Sequence, residues 1–308
     1  MLDFTPNPIA FRIGPLDVHW YGIAYAVGLA AVYFLLTRLA ERRGLNVDLV
    51  GNGLLLVAGA ALVGGRLYHV IDQWQLYATD PLKIVLPPYS GLGVYGGIVT
   101  GTIAAYLYIR RHHQSFWAWA DIVAPCLFLM QAIGRWGNFF NQELYGPPTT
   151  LPWGIPIDAA YRLAQYPVSE FPVATTRFHP LFLYESISGL VGMIVLVYLG
   201  SRMQRGVSWL RTGDLLFVFF VWYGAVRFLV ENLRLNNWTF FGVPTAQLVS
   251  LAFIAVGIAG LVIRHRLPRN ETERELAEPK PQLTAPEREP STPEPVTDEV
   301  ATLHDEPV

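Results

Sequence analysis

The sequence predicts an all-α polytopic membrane protein with seven transmembrane helices, a small outer-side cap between helices 4 and 5, and a disordered C-terminal tail. Three observations carry this. Of 308 residues, 52% are apolar and only 15% charged, against about 25% charged in an ordinary soluble domain. Residues 265–308 hold 11 of the 24 acidic side chains, 5 of the 22 basic ones and 8 of the 23 prolines. The formal charge of −2 therefore combines a tail of −6 with a body of +4. Seven stretches of the body are long and apolar enough to cross about 30 Å of hydrocarbon. Together these exclude a disordered chain, a collagen-like fibre and an ordinary soluble enzyme. The single cysteine, Cys126, excludes an internal disulfide framework and a multi-cysteine zinc site.

The spans run near 20–39, 49–71, 92–109, 116–134, 180–200, 213–232 and 246–264. Residues 1–17 carry one arginine and no continuous apolar core, so the N-terminus does not read as a cleavable signal. Arginine placement sets the orientation. Arg38, Arg42 and Arg43 follow span 1, Arg110 and Arg111 follow span 3, Arg202, Arg205 and Arg211 follow span 5, and Arg264, Arg266 and Arg269 follow span 7. The alternate loops are poorer in cations. The N-terminus is thus expected outside and the tail in the cytoplasm. The loop over about 138–179 is the one long outer connection, and its aromatics suit a small folded cap. The organisation expected is one membrane domain over 1–264, followed by an acidic, Pro-rich stretch that buries too little surface to offset its ordering entropy. The chain shows no convincing internal repeat, which weakens an inverted-repeat transporter reading.

A charged residue inside a span is costly and marks a candidate functional site. Arg66, Asp121, Glu185, Arg227 and Glu231 qualify, and all but Asp121 fall toward the outer half. In span 6, Tyr223, Arg227, Glu231 and Arg234 lie on one narrow helical stripe. The bland reading of that stripe is an Arg227–Glu231 pair locking helices together. Span 4 ends in Arg135, Asn138, Asn141, Gln142 and Glu143; Gln131, Arg135, Asn138 and Gln142 share a face if the helix continues. There the bland reading is an arginine snorkelling to headgroups beside amide caps. Two arginines from different spans meeting in one cavity would suit a phosphate, because the guanidinium fork matches phosphate oxygens. His179-Pro180 opens span 5, and Glu185, a turn deeper, is placed to pair with an arginine. Cys126 lies mid-span among apolar residues and reads as filler. No phosphate-binding loop, dinucleotide fingerprint, zinc helix or serine-hydrolase elbow is present.

Taken together, these segments resemble the prolipoprotein diacylglyceryl transferases of bacterial membranes. The resemblance runs from about Pro15 to Gln247. It rests on His19-Trp20-Tyr21-Gly22, Gly64-Gly65-Arg66, Gly134-Arg135-Trp136-Gly137-Asn138-Phe139 through Asn141, Glu143 and Gly146, His179-Pro180 with Leu183-Tyr184-Glu185, and Tyr223-Gly224-Ala225-Val226-Arg227-Phe228 with Glu231 and Arg234. It implies transfer of the diacylglyceryl group of phosphatidylglycerol to the lipobox cysteine thiol of a prolipoprotein signal peptide. A thioether forms and glycerol phosphate leaves. It implies no metal, no soluble cofactor and no nucleic-acid partner, and it places the enzyme in the bacterial cytoplasmic membrane. The implied catalytic set is Arg135, Arg227, Tyr223, Glu143 and His179. Arg135, Asn138, Arg227, Glu231, Arg234, Tyr21, Gly146 and Tyr95 would hold the lipid headgroup. One departure stands out: many members carry a histidine before the Gly-Gly of span 3, where this chain has Tyr95. With a pKa of about 10, tyrosine is a poor base at neutral pH. His179, Glu143 and Tyr21 remain as candidate bases. A transporter or channel for an anionic solute is the competing function, and a structural or receptor protein with internal ion pairs a third.

Overall fold

The computed structural model describes residues 4–84, 91–207, 209–235 and 237–268. Each predicted span is a helix: α1 Trp20–Arg43, α2 Asp48–Asp72, α4 Val94–Arg111, α5 Phe116–Phe140, α6 Leu181–Gln204, α7 Asp214–Glu231 and α8 Thr245–Arg266. A single extra turn, α3 Trp74–Tyr77, follows α2. The helices outrun the apolar stretches chiefly where polar or basic residues finish the last turn. Arg42 and Arg43 close α1, and Arg110 and Arg111 close α4, where cations complement the helix dipole. Gly44 then stops α1 in a left-handed conformation (φ +65°), its N–H reaching back to the carbonyls of Ala40 and Glu41. Among the described residues five helices, α1, α2, α5, α6 and α8, are long and apolar enough to cross a membrane. The acidic stretch read as a tail lies, from residue 269 onward, outside the described residues.

The mostly helical structure is consistent with the all-α expectation. Among the described residues two small antiparallel hairpins accompany the helices: β1 Ile9–Ile13 with β2 Leu16–His19, and β3 Thr239–Phe240 with β4 Val243–Pro244. The first arises because Phe11 and Ile13, then Leu16 and Val18, alternate with polar residues around Gly14-Pro15. That is strand periodicity across a turn.

The helices associate as α2 with α4, α1 with α5, α5 with α6, and α7 with α8. Small residues allow the close approach. At Gly96 a Cβ would collide with the Gly64 carbonyl, and at Gly189 it would meet the Phe128 carbonyl oxygen at 2.9 Å. The segment from Asn141 to Pro180 has little regular structure but a core of its own. Tyr145, Ile155, Ile157 and Phe178 are buried together against Phe182 of α6, and Ile155 and Phe178 form an antiparallel bridge. The Tyr145 hydroxyl accepts the Leu163 N–H at 2.7 Å, while burial raises its pKa.

Asp121, the sequence's exception, is structural. Its wholly buried carboxylate accepts hydrogen bonds from Arg43 Nη1 (3.1 Å), Gly213 N (2.8 Å) and Leu215 N (3.0 Å). It therefore ties α5 to the end of α1 and to the first turn of α7, whose free N–H groups favour an anion.

Candidate active site

At the other end of α5, Glu185, Arg227 and Glu231 converge with Arg135. Arg135 is most of α5 away from Asp121, about 21 Å along the axis. Its Nη2 lies 3.0 Å from Glu185 Oε1 of α6, and the same oxygen lies 3.7 Å from Arg227 Nη1 of α7. Arg227 Nη2 meets Glu231 Oε2 at 2.6 Å, and Arg234 Nη1 stands 3.9 Å from that oxygen. The result is a chain of alternating charge, Arg135–Glu185–Arg227–Glu231–Arg234, fed by three helices. Of the stripe read along span 6, Arg227, Glu231 and Arg234 meet in this chain, the last from just beyond the end of α7. Glu185 and Glu231 are 5% and 3% exposed, and Arg227 11%.

The pairing is incomplete in hydrogen-bond terms. Arg227 Nη1 is fully buried and lies within ion-pair distance of Glu185, yet it has no aligned hydrogen-bond acceptor among the described residues. A buried donor left so is expensive, and a ligand oxygen would relieve it. Because they flank one carboxylate oxygen, Arg135 Nη2 and Arg227 Nη1 are at most 6.7 Å apart. One phosphate can therefore meet both.

Asn138 sets the posture of Arg135. Its Oδ1 accepts from Arg135 Nη1 at 3.4 Å, and its Nδ2 donates to Glu143 Oε1 at 2.8 Å. Tyr21 closes this side. Its ring lies so near Gly137 that a Cβ there would overlap it, and its hydroxyl is 3.3 Å from that of Tyr25. Arg234 follows α7; burial and then the neighbouring Arg227 lower its pKa.

Other expected residues are placed differently. His179 packs its Cβ against Gly146, where a side chain would also strike the Leu233 carbonyl; the Gly146 N–H donates to His179 O at 2.9 Å. His179 Nδ1 lies 3.0 Å from the Tyr184 hydroxyl, which accepts the Trp153 indole N–H at 2.9 Å. Tyr223 belongs to an aromatic stack with Phe219 and Phe253 rather than to the ion-pair chain. Tyr95 lies on α4, 44% exposed, its ring 6.1 Å from that of Tyr68 on α2. Arg66 serves the α2–α4 connection by donating to the carbonyls of Lys83 (2.7 Å), Ile84 (3.2 Å) and Gly91 (3.3 Å).

The face shared by Gln131, Arg135, Asn138 and Gln142 stops short of its last member. α5 ends at Phe140, and Gln142 turns into the left-handed region (φ +53°). Its amide instead donates to Pro6 O (2.9 Å) and Asp158 Oδ2 (3.0 Å), stapling the N-terminal segment to the long loop. Glu185 is the residue whose importance the sequence understated. As a lone acidic group early in a span it promised one ion pair, and it forms the hub of two.

The family model described as prolipoprotein diacylglyceryl transferase matches residues 8–263. A protein of Nostoc sp. strain PCC 7120 named phosphatidylglycerol–prolipoprotein diacylglyceryl transferase is 38% identical over 260 residues, covering 83% of this chain and 89% of its own. Proteins of the same name from Enterococcus faecalis (37% over 263 residues; 85% and 92%) and Synechococcus elongatus (37% over 270 residues; 87% and 91%) are similar to a like degree. With a match over nearly the whole helical body and the arginine chain at its centre, this protein belongs to the prolipoprotein diacylglyceryl transferase family.

Proposed function

We propose that this protein transfers the diacylglyceryl group of phosphatidylglycerol to the lipobox cysteine of a prolipoprotein. The observation that carries the reading is the convergence of Arg135 and Arg227 on one buried carboxylate, with Arg227 Nη1 still short of an aligned acceptor. In the reaction the cysteine sulfur attacks a glyceryl carbon, and the carbon–oxygen bond to phosphate breaks. The bonding pair leaves with glycerol phosphate, which gains a second negative charge. Two preorganised guanidinium groups stabilise that charge as it develops. They also favour the thiolate over the thiol. Asn138, Glu143, Glu231 and Arg234 hold the arginines and the glycerol headgroup, with Tyr21 and Gly146 shaping the wall. The competing reading, an anion transporter or channel, falls with the family assignment.

The thiol proton goes to a base at this end of the bundle. Trp153 donates to the Tyr184 hydroxyl, which is hydrogen-bonded to His179 Nδ1 and so orients the imidazole. Of the three candidate bases, Glu143 and His179 have side chains that can accept a proton near neutral pH, whereas a tyrosine such as Tyr21 is a poor base there. Between α1, α2, α4 and α5 an apolar cavity of about 260 Å³, lined by Leu29, Val57, Leu127 and Met130 among others, suits an acyl chain.

The seven-span topology belongs to this reading. α4 and α7 have 18 residues each, about 27 Å of helix, close to the hydrocarbon thickness of about 30 Å. Arginine asymmetry orients the N-terminus, the arginine chain and the 138–179 cap outside, with residues 265–308 cytoplasmic. The decisive assay combines purified protein, phosphatidylglycerol and a lipobox peptide. A diacylglyceryl adduct on the peptide cysteine is expected, and it disappears in Arg135→Ala. An unmodified peptide with intact lipid overturns the reading.

A further inference from the structure

The α7–α8 connection breaks two local rules at once. From Leu235 to Ile263 the sequence has no charged residue, although this stretch includes the turn between two membrane helices. Its turn also has the wrong residue. Phe240 pairs with Val243, so Phe241 and Gly242 form a two-residue hairpin loop, and both have positive φ (+49° and +77°). Such a turn favours Asn-Gly, and a bulky residue in the left-handed region is strained. Phe241 at this strained position is 92% exposed. Trp238 (71%) and Phe240 (54%) are exposed beside it. Backbone strain that displays an aromatic ring points to a function for that ring.

The hairpin is also fastened to the site. Asn237 Nδ2 donates to the carbonyls of Glu231 and Arg234, each at 3.3 Å. Gln247 Nε2 donates to Asn232 Oδ1 at 3.0 Å, and Thr245 N to Trp238 O at 2.9 Å. The exposed tip thus moves with the turn that carries Arg234. Its apolar surface continues into exposed Leu229 of α7 and Leu248 and Leu251 of α8, the sides of helices that face lipid.

We propose that the β3–β4 tip is a bilayer anchor. Trp238, Phe240 and Phe241 enter the interfacial layer on the side of the arginine chain, and this fixes the depth at which Arg227 and Arg234 meet a lipid headgroup. The occupant is lipid because the tip is uncharged, aromatic and continuous with the lipid-facing helix surface, the composition of membrane-interface belts. The insertion stands without any assumption about chemistry; only the depth-setting role rests on the transferase reading.

A nitroxide on Phe241→Cys, in vesicles containing phosphatidylglycerol, tests insertion. The native Cys126 is buried, and unmutated protein carried through the same labelling is the control. Collision with oxygen is expected to exceed collision with a water-soluble nickel chelate, the reverse of a label on exposed Glu170→Cys. Equal accessibility at the two positions overturns the anchor. So does a tip that becomes shielded only when a lipobox peptide is added, which would make it a peptide-docking site. For the depth-setting role, Phe241→Asn suits the turn better and removes the ring. A KM for vesicular phosphatidylglycerol raised about tenfold at similar kcat is expected, with Phe241→Trp close to the parent. An unchanged KM in Phe241→Asn overturns that role. A parent protein without transferase activity overturns the functional reading and leaves the nitroxide result to decide insertion.

Discussion

Arg135 makes two kinds of interaction that a substitution can separate. As a cation it balances Glu185 at 3.0 Å, and as a planar fork it also reaches Asn138 through its other terminal nitrogen. Lysine keeps the first and loses the second. Arg135→Lys is therefore expected to fold with a melting temperature near the parent's, because no buried carboxylate is stranded. It should lower kcat about 10²-fold, the usual consequence of removing one preorganised donor from a developing oxyanion. Steady-state kinetics with phosphatidylglycerol, alongside a thermal melt, check both halves. A fully active Arg135→Lys would mean that the phosphate meets this residue as a point charge only. A melting temperature far below the parent's would instead make Arg135 a structural brace.

At the scale of helices, what positions Glu185 is a glycine one turn further along α6. A Cβ at Gly189 would meet the Phe128 carbonyl oxygen at 2.9 Å and the Ala132 nitrogen at 3.2 Å. Both are backbone atoms of α5 and cannot rotate away. Gly189→Val is expected to push α6 off α5, to destabilise by about 1–3 kcal/mol, and to lift Glu185 away from Arg135, so that melting temperature and activity fall together. Gly28→Ala is the contrast: its Cβ would meet the thioether end of Met130, which can swing aside, and near-parent stability is expected. Parent-like melting of Gly189→Val would show that the α5–α6 contact is looser than these distances imply. The helices themselves were legible in the sequence because a long apolar run admits few alternatives in a bilayer. The hairpins were harder to read: β1–β2 has an alternating pattern, but over strands of only five and four residues, and β3–β4 violates the turn preference that would have announced it. At the site, Arg227 and Glu231 were legible because both lie on one helix at a spacing that brings them together. The sharing of Glu185 by arginines of α5 and α7 was hidden, since tertiary packing alone decides it. Gln142 misled because its face depended on α5 continuing, and the left-handed turn after Phe140 redirects it.

Across the whole molecule the sparse buried charges divide between two ends with different duties. At one end Asp121 has a complete set of partners: a guanidinium and two backbone N–H groups on a carboxylate with no exposed surface. At the other, Arg227 retains a buried nitrogen with no aligned acceptor among the described residues. A buried polar atom without a partner calls for an explanation, and at Arg227, beside a second arginine, a substrate oxygen is the one proposed above. Asp121→Asn should expose the difference. The amide presents N–H where the carboxylate accepted, and it leaves Arg43, only 12% exposed, without its counter-charge. Breaking a buried pair in this way is expected to destabilise by about 3–5 kcal/mol. The arginine chain lies about 21 Å along α5 from this substitution, so the protein that remains folded should retain kcat within about twofold. Melting temperature and turnover per folded molecule, measured on one preparation, read the two effects separately. Lost turnover at unchanged melting temperature would be the opposite result: it would join Asp121 to the chemistry and abolish the division of the bundle into a structural end and a reactive end.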